Sequence, residues 1–431
     1  MERRLERDLV AWQQRTTGRS PLVLFGARQV GKTHLLRQFG QRYRNVAYVN
    51  FEATAAARSF FDGDLDPRRL LGLLEAETRQ AITPGETLVI LDEVQACPVA
   101  LTAMKYFREQ APQYHIACAG SLLGVSVQRD RASFPVGNVT SMTLHPLDFE
   151  EYLWARDEAR LATAIREAFA ASEPLPQGLH DRALDYYRTY LVTGGMPAAV
   201  VRTVETGSLQ TVGEVQEQIL NDYVADMVKY ATTTEAVRIR SAFASLPAQL
   251  AKDNRKFQYK VVRRGGTATI FGPAIDWLCS AGLVLKCSRV NQATVPLPAQ
   301  VDLASFKLYM GDIGLLTHMS AMPQSAVLAA SLVDHTFLGA LAENYVAQAL
   351  AANGHTPRYW TSEGKAEVDF ILQLDSDIVG VEVKAGHRTQ SKSLGVLANR
   401  YRVAYSIRFS AKNFGAAGGI RPVPLYAAFC V

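Results

Sequence analysis

A chain of 431 residues is longer than the roughly 250–300 at which a single core stops growing, so more than one domain is expected. Its 48% hydrophobic and 20% charged residues are ordinary for a globular protein, no apolar run approaches the ~18 residues that cross a bilayer, and the charged start lacks the apolar core of an export signal. The expectation is therefore a cytoplasmic protein without membrane contact, whose net charge of +5 permits nucleic-acid binding but does not demand it, and whose five scattered cysteines form neither a disulfide framework nor a Cys-x-x-Cys zinc site.

Residues 1–20 read as a short helix with Leu5, Leu9, Val10 and Trp12 on its apolar side, ending in the turn signal Thr16-Thr-Gly-Arg-Ser20. An apolar strand, Pro21 to Phe25, then runs into Gly26-Ala27-Arg28-Gln29-Val30-Gly31-Lys32-Thr33, and His34 continues into residues with helical spacing. Strand, glycine loop and helix are the setting in which backbone N–H groups and a helix N-terminus cradle phosphate. Gly26 through His34 are thus the nucleotide-binding residues expected for ATP, with Lys32 reaching the β- and γ-phosphates and the Thr33 hydroxyl binding Mg²⁺.

A second strand is expected at 45–50, a helix at 68–81 and a fully buried strand at Thr87-Leu-Val-Ile-Leu-Asp92. That strand delivers Asp92 and Glu93 to its carboxyl end, where ligands sit in open α/β sheets. Asp92 is expected to hold the Mg²⁺ and Glu93 to polarise the attacking water. The next strand, 114–119, ends in Gly120-Ser121, and Ser121 is the candidate sensor of the γ-phosphate. Arg129 and Arg131 are candidates for an arginine finger, weighed against ordinary surface arginines. A fifth strand is expected at 139–144 and a helix from His145.

Residues 155–232 read as a helical lid, broken at Thr193-Gly-Gly-Met-Pro197. From Glu235 a helix runs to Asn254 and into Lys252 to Arg264, which carries six basic residues against one acid. With a helix at 267–281 and a strand at 283–290, the order is that of a winged helix, its basic residues suited to a phosphate backbone or, equally, to a protein partner. In the last segment a helix bearing Glu343 precedes strands at 366–374 and 378–384. Alternation places Glu382 and Lys384 on one face, within reach of Asp369. Glu343, Asp369 and Glu382 are the expected ligands of a second Mg²⁺ or Mn²⁺, with Lys384 steering water; the alternative is a charged, solvated hairpin.

With these blocks in place, the chain resembles the prokaryotic AAA-type ATPases that join a central winged helix to a C-terminal restriction-nuclease-like domain. The resemblance rests on Gly26 to Thr33, Leu91 to Gln95, Ala119 to Ser121, His145 to Glu150, Gly194 to Pro197, Phe306 to Leu315, and the set Glu343, Asp369, Glu382 and Lys384. Many relatives carry Gly-Arg before the fifth strand, where Gly137-Asn138 stands here. The resemblance implies an α/β fold with a five-stranded parallel P-loop core (1–154), the helical lid (155–232), a winged-helix module (233–325) and an α/β nuclease-like domain (326–431). Two functions are expected to compete: an ATP-hydrolysing protein acting on DNA or RNA, and a nucleotide-gated module that binds protein partners. Homo-oligomerisation is left open.

Overall fold

The computed structural model describes residues 1–121, 135, 137–253, 255–329, 335–362, 366–386, 392–415 and 418–431. Arg129 and Arg131 lie outside the described residues. The chain divides into two compact units: Glu2–His145 with Ser280–Gly282, and Pro146–Cys279 with Leu283–Val431 and Met1.

In the first unit, β1 (Leu22–Phe25), β2 (Asn45–Asn50), β3 (Thr87–Asp92), β4 (His115–Ala119) and β5 (Thr140–Thr143) form one parallel sheet in the order β2-β3-β4-β1-β5. Every residue of β3 and β4 is buried, as expected for central strands covered on both faces, whereas the edge strand β5 alternates half-buried and exposed positions. Phe51, Phe61, Leu70, Leu74, Met104 and Phe107 pack in one core cluster with residues of β1, β3 and β4. The helices α1 (Leu5–Gln13), α2 (Lys32–Gly40), α3 (Pro67–Thr78) and α4 (Val99–Gln110) belong to this unit. α3 begins where local chemistry dictates: Asp66 accepts from the N–H groups of Arg68 and Arg69, and Pro67 takes the first helical position. The order of strands matters for function, because β4 lies between β1 and β3 and so sets whatever follows it between the glycine loop and the acidic strand end.

The second unit opens with helices at Phe149–Ala155, Ala159–Ala171, Gln177–Thr193, Pro197–Thr206 and Leu209–Lys229. Phe149, Tyr187 and Tyr190 from this helical region meet Tyr345 and Phe429 from the last segment in one aromatic cluster, with ring centroids 4.9–6.5 Å apart. The helix expected at 235–254 is two, Thr233–Ala244 and Leu246–Leu250, divided at Ser245 before Pro247. After the helix Ala268–Ser280, β6 (Val284–Val290) pairs antiparallel with β7 (Val301–Met310).

Two features differ from expectation. β6 also pairs in parallel with β8 (Arg358–Ser362), which pairs with β9 (Ala366–Val368), so a four-stranded sheet β7-β6-β8-β9 crosses the boundary drawn at 325/326. The single strand expected at 366–374 is broken at Asp369: β9 belongs to that sheet and β10 (Phe370–Leu374) to another, β10-β11-β12-β13, with β11 at Asp377–Val383, β12 at Tyr405–Ser410 and β13 at Ile420–Pro424. Among the described residues no helix is long and apolar enough to cross a membrane.

Candidate functional site

The glycine loop joins β1 to α2. Gly26 has φ 144°, and a Cβ there would overlap the Leu144 carbonyl; Gly31, the residue before α2, has φ 95° in the left-handed region. These two positions let the loop curl over the α2 N-terminus, the kind of place where backbone N–H groups can be presented to an anion. Ala27 and Val30 are buried, whereas the side chain of His34 is exposed.

Lys32 is buried, and its ammonium donates to the carbonyls of Gly26 at 2.9 Å and Ala27 at 2.7 Å. Burial lowers its pKa to about 8, opposed by the nearby Glu93 and Asp92 carboxylates, which favour the charged form. Thr33 Oγ1 donates to Asp92 Oδ2 at 2.7 Å, so the two residues expected on Mg²⁺ stand together. A hydroxyl and a carboxylate at the mouth of a phosphate cradle are hard oxygen donors, a set that fits Mg²⁺ bound to a nucleotide. Glu93, in the left-handed region at φ 53°, directs its backbone N–H to Asp92 Oδ1 at 3.0 Å. Its Oε2 accepts from Ser121 Oγ at 3.2 Å and from the Gln95 amide, which also lies 3.3 Å from Ser121 Oγ. Of the residues expected at the ATP site, Lys32, Thr33, Asp92, Glu93 and Ser121 meet at the carboxyl ends of β1, β3 and β4 beside the Gly26 to Gly31 loop, whereas His34 turns its side chain to solvent.

The last segment is arranged otherwise. Glu343, on the helix His335–Ala352, is buried with one carboxylate oxygen paired to Arg255 and the other to Lys307 Nζ at 2.9 Å and the Tyr309 hydroxyl. Lys307 also pairs with Glu367 at 2.6 Å. Glu382 pairs with Arg408 Nε at 2.9 Å and with Lys384 at 3.4 Å. Asp369 Oδ2 accepts from the Val383 N–H at 2.7 Å, and burial raises its pKa against the pull of Lys307, Arg255 and Lys384. The expected convergence of Glu343, Asp369 and Glu382 on a metal is thus corrected: among the described residues no three His, Cys, Asp or Glu side chains are grouped to hold a metal ion. Each carboxylate has been matched by basic or backbone donors instead, and the set does not fit a divalent cation as it stands. A cavity of about 690 Å³ beside these groups is lined by residues including Arg255, Lys256, Arg289, Glu367, Asp369 and Lys384.

Residues 18–153 match the family described as an AAA domain. That match gives the first unit its AAA domain. Residues 184–326 and 338–428 match two families each described as a domain of unknown function, DUF8612 and DUF4143. No curated protein matches the chain. Among solved structures it is similar to the Walker-type ATPase PABY2304 of Pyrococcus abyssi, at 17% identity over 74% of this chain and 95% of that one with a TM-score of 0.45. It is also similar to the Aeropyrum pernix ORC1 protein in complex with DNA, at 14% identity over 75% and 93% of the two chains with a TM-score of 0.31. DnaA from Aquifex aeolicus is a third, at 14% identity over 64% and 88% with a TM-score of 0.28.

Within the first unit, three residues to which the sequence analysis gives no role support the site. Arg3 is buried and donates to the carbonyls of Val30 at 2.9 Å and His145 at 2.5 Å, tying the glycine loop to the end of the domain. Tyr48, from β2, donates to Asp92 Oδ2 at 2.9 Å under the guanidinium of Arg37, 4.0 Å from its ring centroid. Gln95 holds Glu93 and Ser121 together. Gln95 closes the Leu91 to Gln95 motif, two residues beyond Glu93; Arg3 and Tyr48 come from parts of the chain with no local signal.

Proposed function

We propose that the AAA domain binds ATP with Mg²⁺ and hydrolyses it, and that hydrolysis serves an action on nucleic acid through the basic stretch around Lys256 to Arg264. The observation that carries the ATPase reading is the meeting of Lys32, Thr33, Asp92, Glu93 and Ser121 at one edge of the sheet. When bound, Mg²⁺ would be held by Thr33 and Asp92 and would offset charge on the phosphates, while Glu93, oriented by Gln95 and Ser121, would take a proton from water. The nucleic-acid half rests on the exposed Lys260, Arg263 and Arg264, set around the short helix Tyr259–Val262 and before Ala268–Ser280 in the order of a winged helix.

A second reading, a nucleotide-gated protein-interaction module, is favoured by one observation: Arg255, one of the six basic residues between Lys252 and Arg264, is committed to Glu343. A metal-dependent nuclease is not part of either reading, because the carboxylates it needs are already matched. The test measures ATP turnover by the full chain with and without double-stranded DNA, single-stranded DNA and RNA. Stimulation by any of them supports the first reading; turnover indifferent to all three supports the second; no turnover with any of them overturns the ATPase assignment.

A further inference from the structure

Lys307 is fully buried on β7, and its ammonium bridges two carboxylates, 2.9 Å from Glu343 and 2.6 Å from Glu367, with its Nζ 5.0 Å from the centroid of the Tyr359 ring. Arg255 closes the other side of Glu343. Space for that guanidinium is provided by Gly339, one turn before Glu343, where a Cβ would stand 3.1 Å from Arg255 Nη2. The segment carrying Arg255 is fastened to the same strand, since the Phe257 N–H donates to the Phe306 carbonyl at 2.8 Å and the two rings stack at 5.5 Å.

The charges balance. Glu343, Glu367, Asp369 and Glu382 are faced by Arg255, Lys307, Lys384 and Arg408. A buried carboxylate is tolerated when its charge is paired and its lone pairs are filled, and both hold for Glu343. Adding a divalent cation here would leave about two uncompensated positive charges where water screens them poorly.

We infer that Lys307, with Arg255, occupies the cation position of this cluster, so that the last segment holds a fixed internal cation in place of a divalent metal. The cluster's role is to clamp the basic stretch, through Arg255, onto β7, β9 and the helix His335–Ala352.

The inference does not depend on ATP hydrolysis, and its test uses the nucleotide-free full chain titrated with Mn²⁺, with bound metal read by electron paramagnetic resonance and by thermal unfolding. Wild type is expected to show no Mn²⁺ that responds to Glu343→Gln or Asp369→Asn, and no shift of its unfolding temperature that these variants abolish. Any Mn²⁺ lost only in Asp92→Asn belongs to the AAA domain and agrees with the inference. Arg255→Met combined with Lys307→Met removes the internal cation and should raise Mn²⁺ affinity at least about tenfold, a gain cancelled by adding Glu343→Gln. If that double variant does not fold, the wild-type arm decides alone. Binding of about one Mn²⁺ per wild-type chain that is lost in Glu343→Gln or Asp369→Asn would overturn the inference. A folded double variant that gains no Mn²⁺ would overturn it as well, since something other than the basic side chains would then exclude the metal.

Discussion

Glu93 is held by two side chains, Ser121 and Gln95, in a backbone conformation that a non-glycine residue seldom adopts. Such fixing suits a carboxylate that must meet one water at one angle. Glu93→Gln keeps the shape of the site and removes the proton acceptor, so it should leave ATP affinity within about twofold of wild type and lower kcat by about 10²–10⁴-fold. Turnover equal to wild type would remove Glu93 from the reaction. Lys32→Ala acts on the other half of the same event. It deletes the ammonium that, in the proposed function, reaches the phosphates, and calorimetry should show ATP affinity reduced by about 10-fold or more. Tyr48 and Arg3 illustrate what a motif does not contain: both act by positioning, one on Asp92 and one on the glycine loop.

At the scale of elements, the break Gly194-Gly195 is explained by crowding. The Leu147 N–H donates to the Gly195 carbonyl at 2.7 Å, the Gly195 N–H donates to Asp312 Oδ2 at 2.6 Å, and a Cβ on Gly195 would overlap the Leu147 backbone. The motif His145 to Glu150, the glycine pair and the turn at Asp312 are one structural crossing. Gly195→Ala should therefore destabilise the second unit by about 3 kcal/mol or more, read from urea unfolding, because backbone and not a flexible side chain must move. The basic stretch is likewise sorted by packing. Arg255 is spent on Glu343, whereas Lys260, Arg263 and Arg264 remain exposed. If nucleic acid is bound, neutralising those three should reduce the slope of log affinity against log salt by about 2–3, and unchanged affinity and slope would transfer the stretch to protein recognition.

The two units should answer pH in opposite directions. In the AAA domain, His115 is buried, with the rings of Trp12 and Tyr43 5.7 and 5.2 Å away, and desolvation lowers its pKa from 6.5 to about 4. The unfolded chain then takes up the proton first on acidification. This contribution is complete above pH 6.5 and lost as pH falls through 4, and His145 acts in the same sense. In the second unit, burial raises Asp312 from 3.8 to about 6 against three backbone N–H donors, so its contribution is complete below pH 3.8 and lost as pH rises through 6. Amide exchange read separately in the two units between pH 4 and 7 should show the AAA domain strengthening with pH, with a shallower rise in His115→Leu. The second unit should show a falling contribution that Asp312→Asn removes; slopes unaffected by either substitution would refute the assignment.

The sequence by itself determined the AAA domain and the residues gathered at the carboxyl ends of its inner strands, because the information is local. A glycine loop shapes its own backbone, and the short apolar run from Leu88 to Leu91 reads as a buried strand that ends in Asp92. The same locality explains why Glu343, Asp369, Glu382 and Lys384 were visible as carboxylates and a lysine on a helix and strands. What they do was decided by tertiary structure alone. The partners that neutralise Glu343 arrive from 88 and 36 residues away, and a bend at Asp369 sends the two halves of an apparently single strand into different sheets. Spacing along a chain reports which face a side chain shares with its neighbours, but not which distant charge is packed against it, and in this cluster that distant charge is the cation.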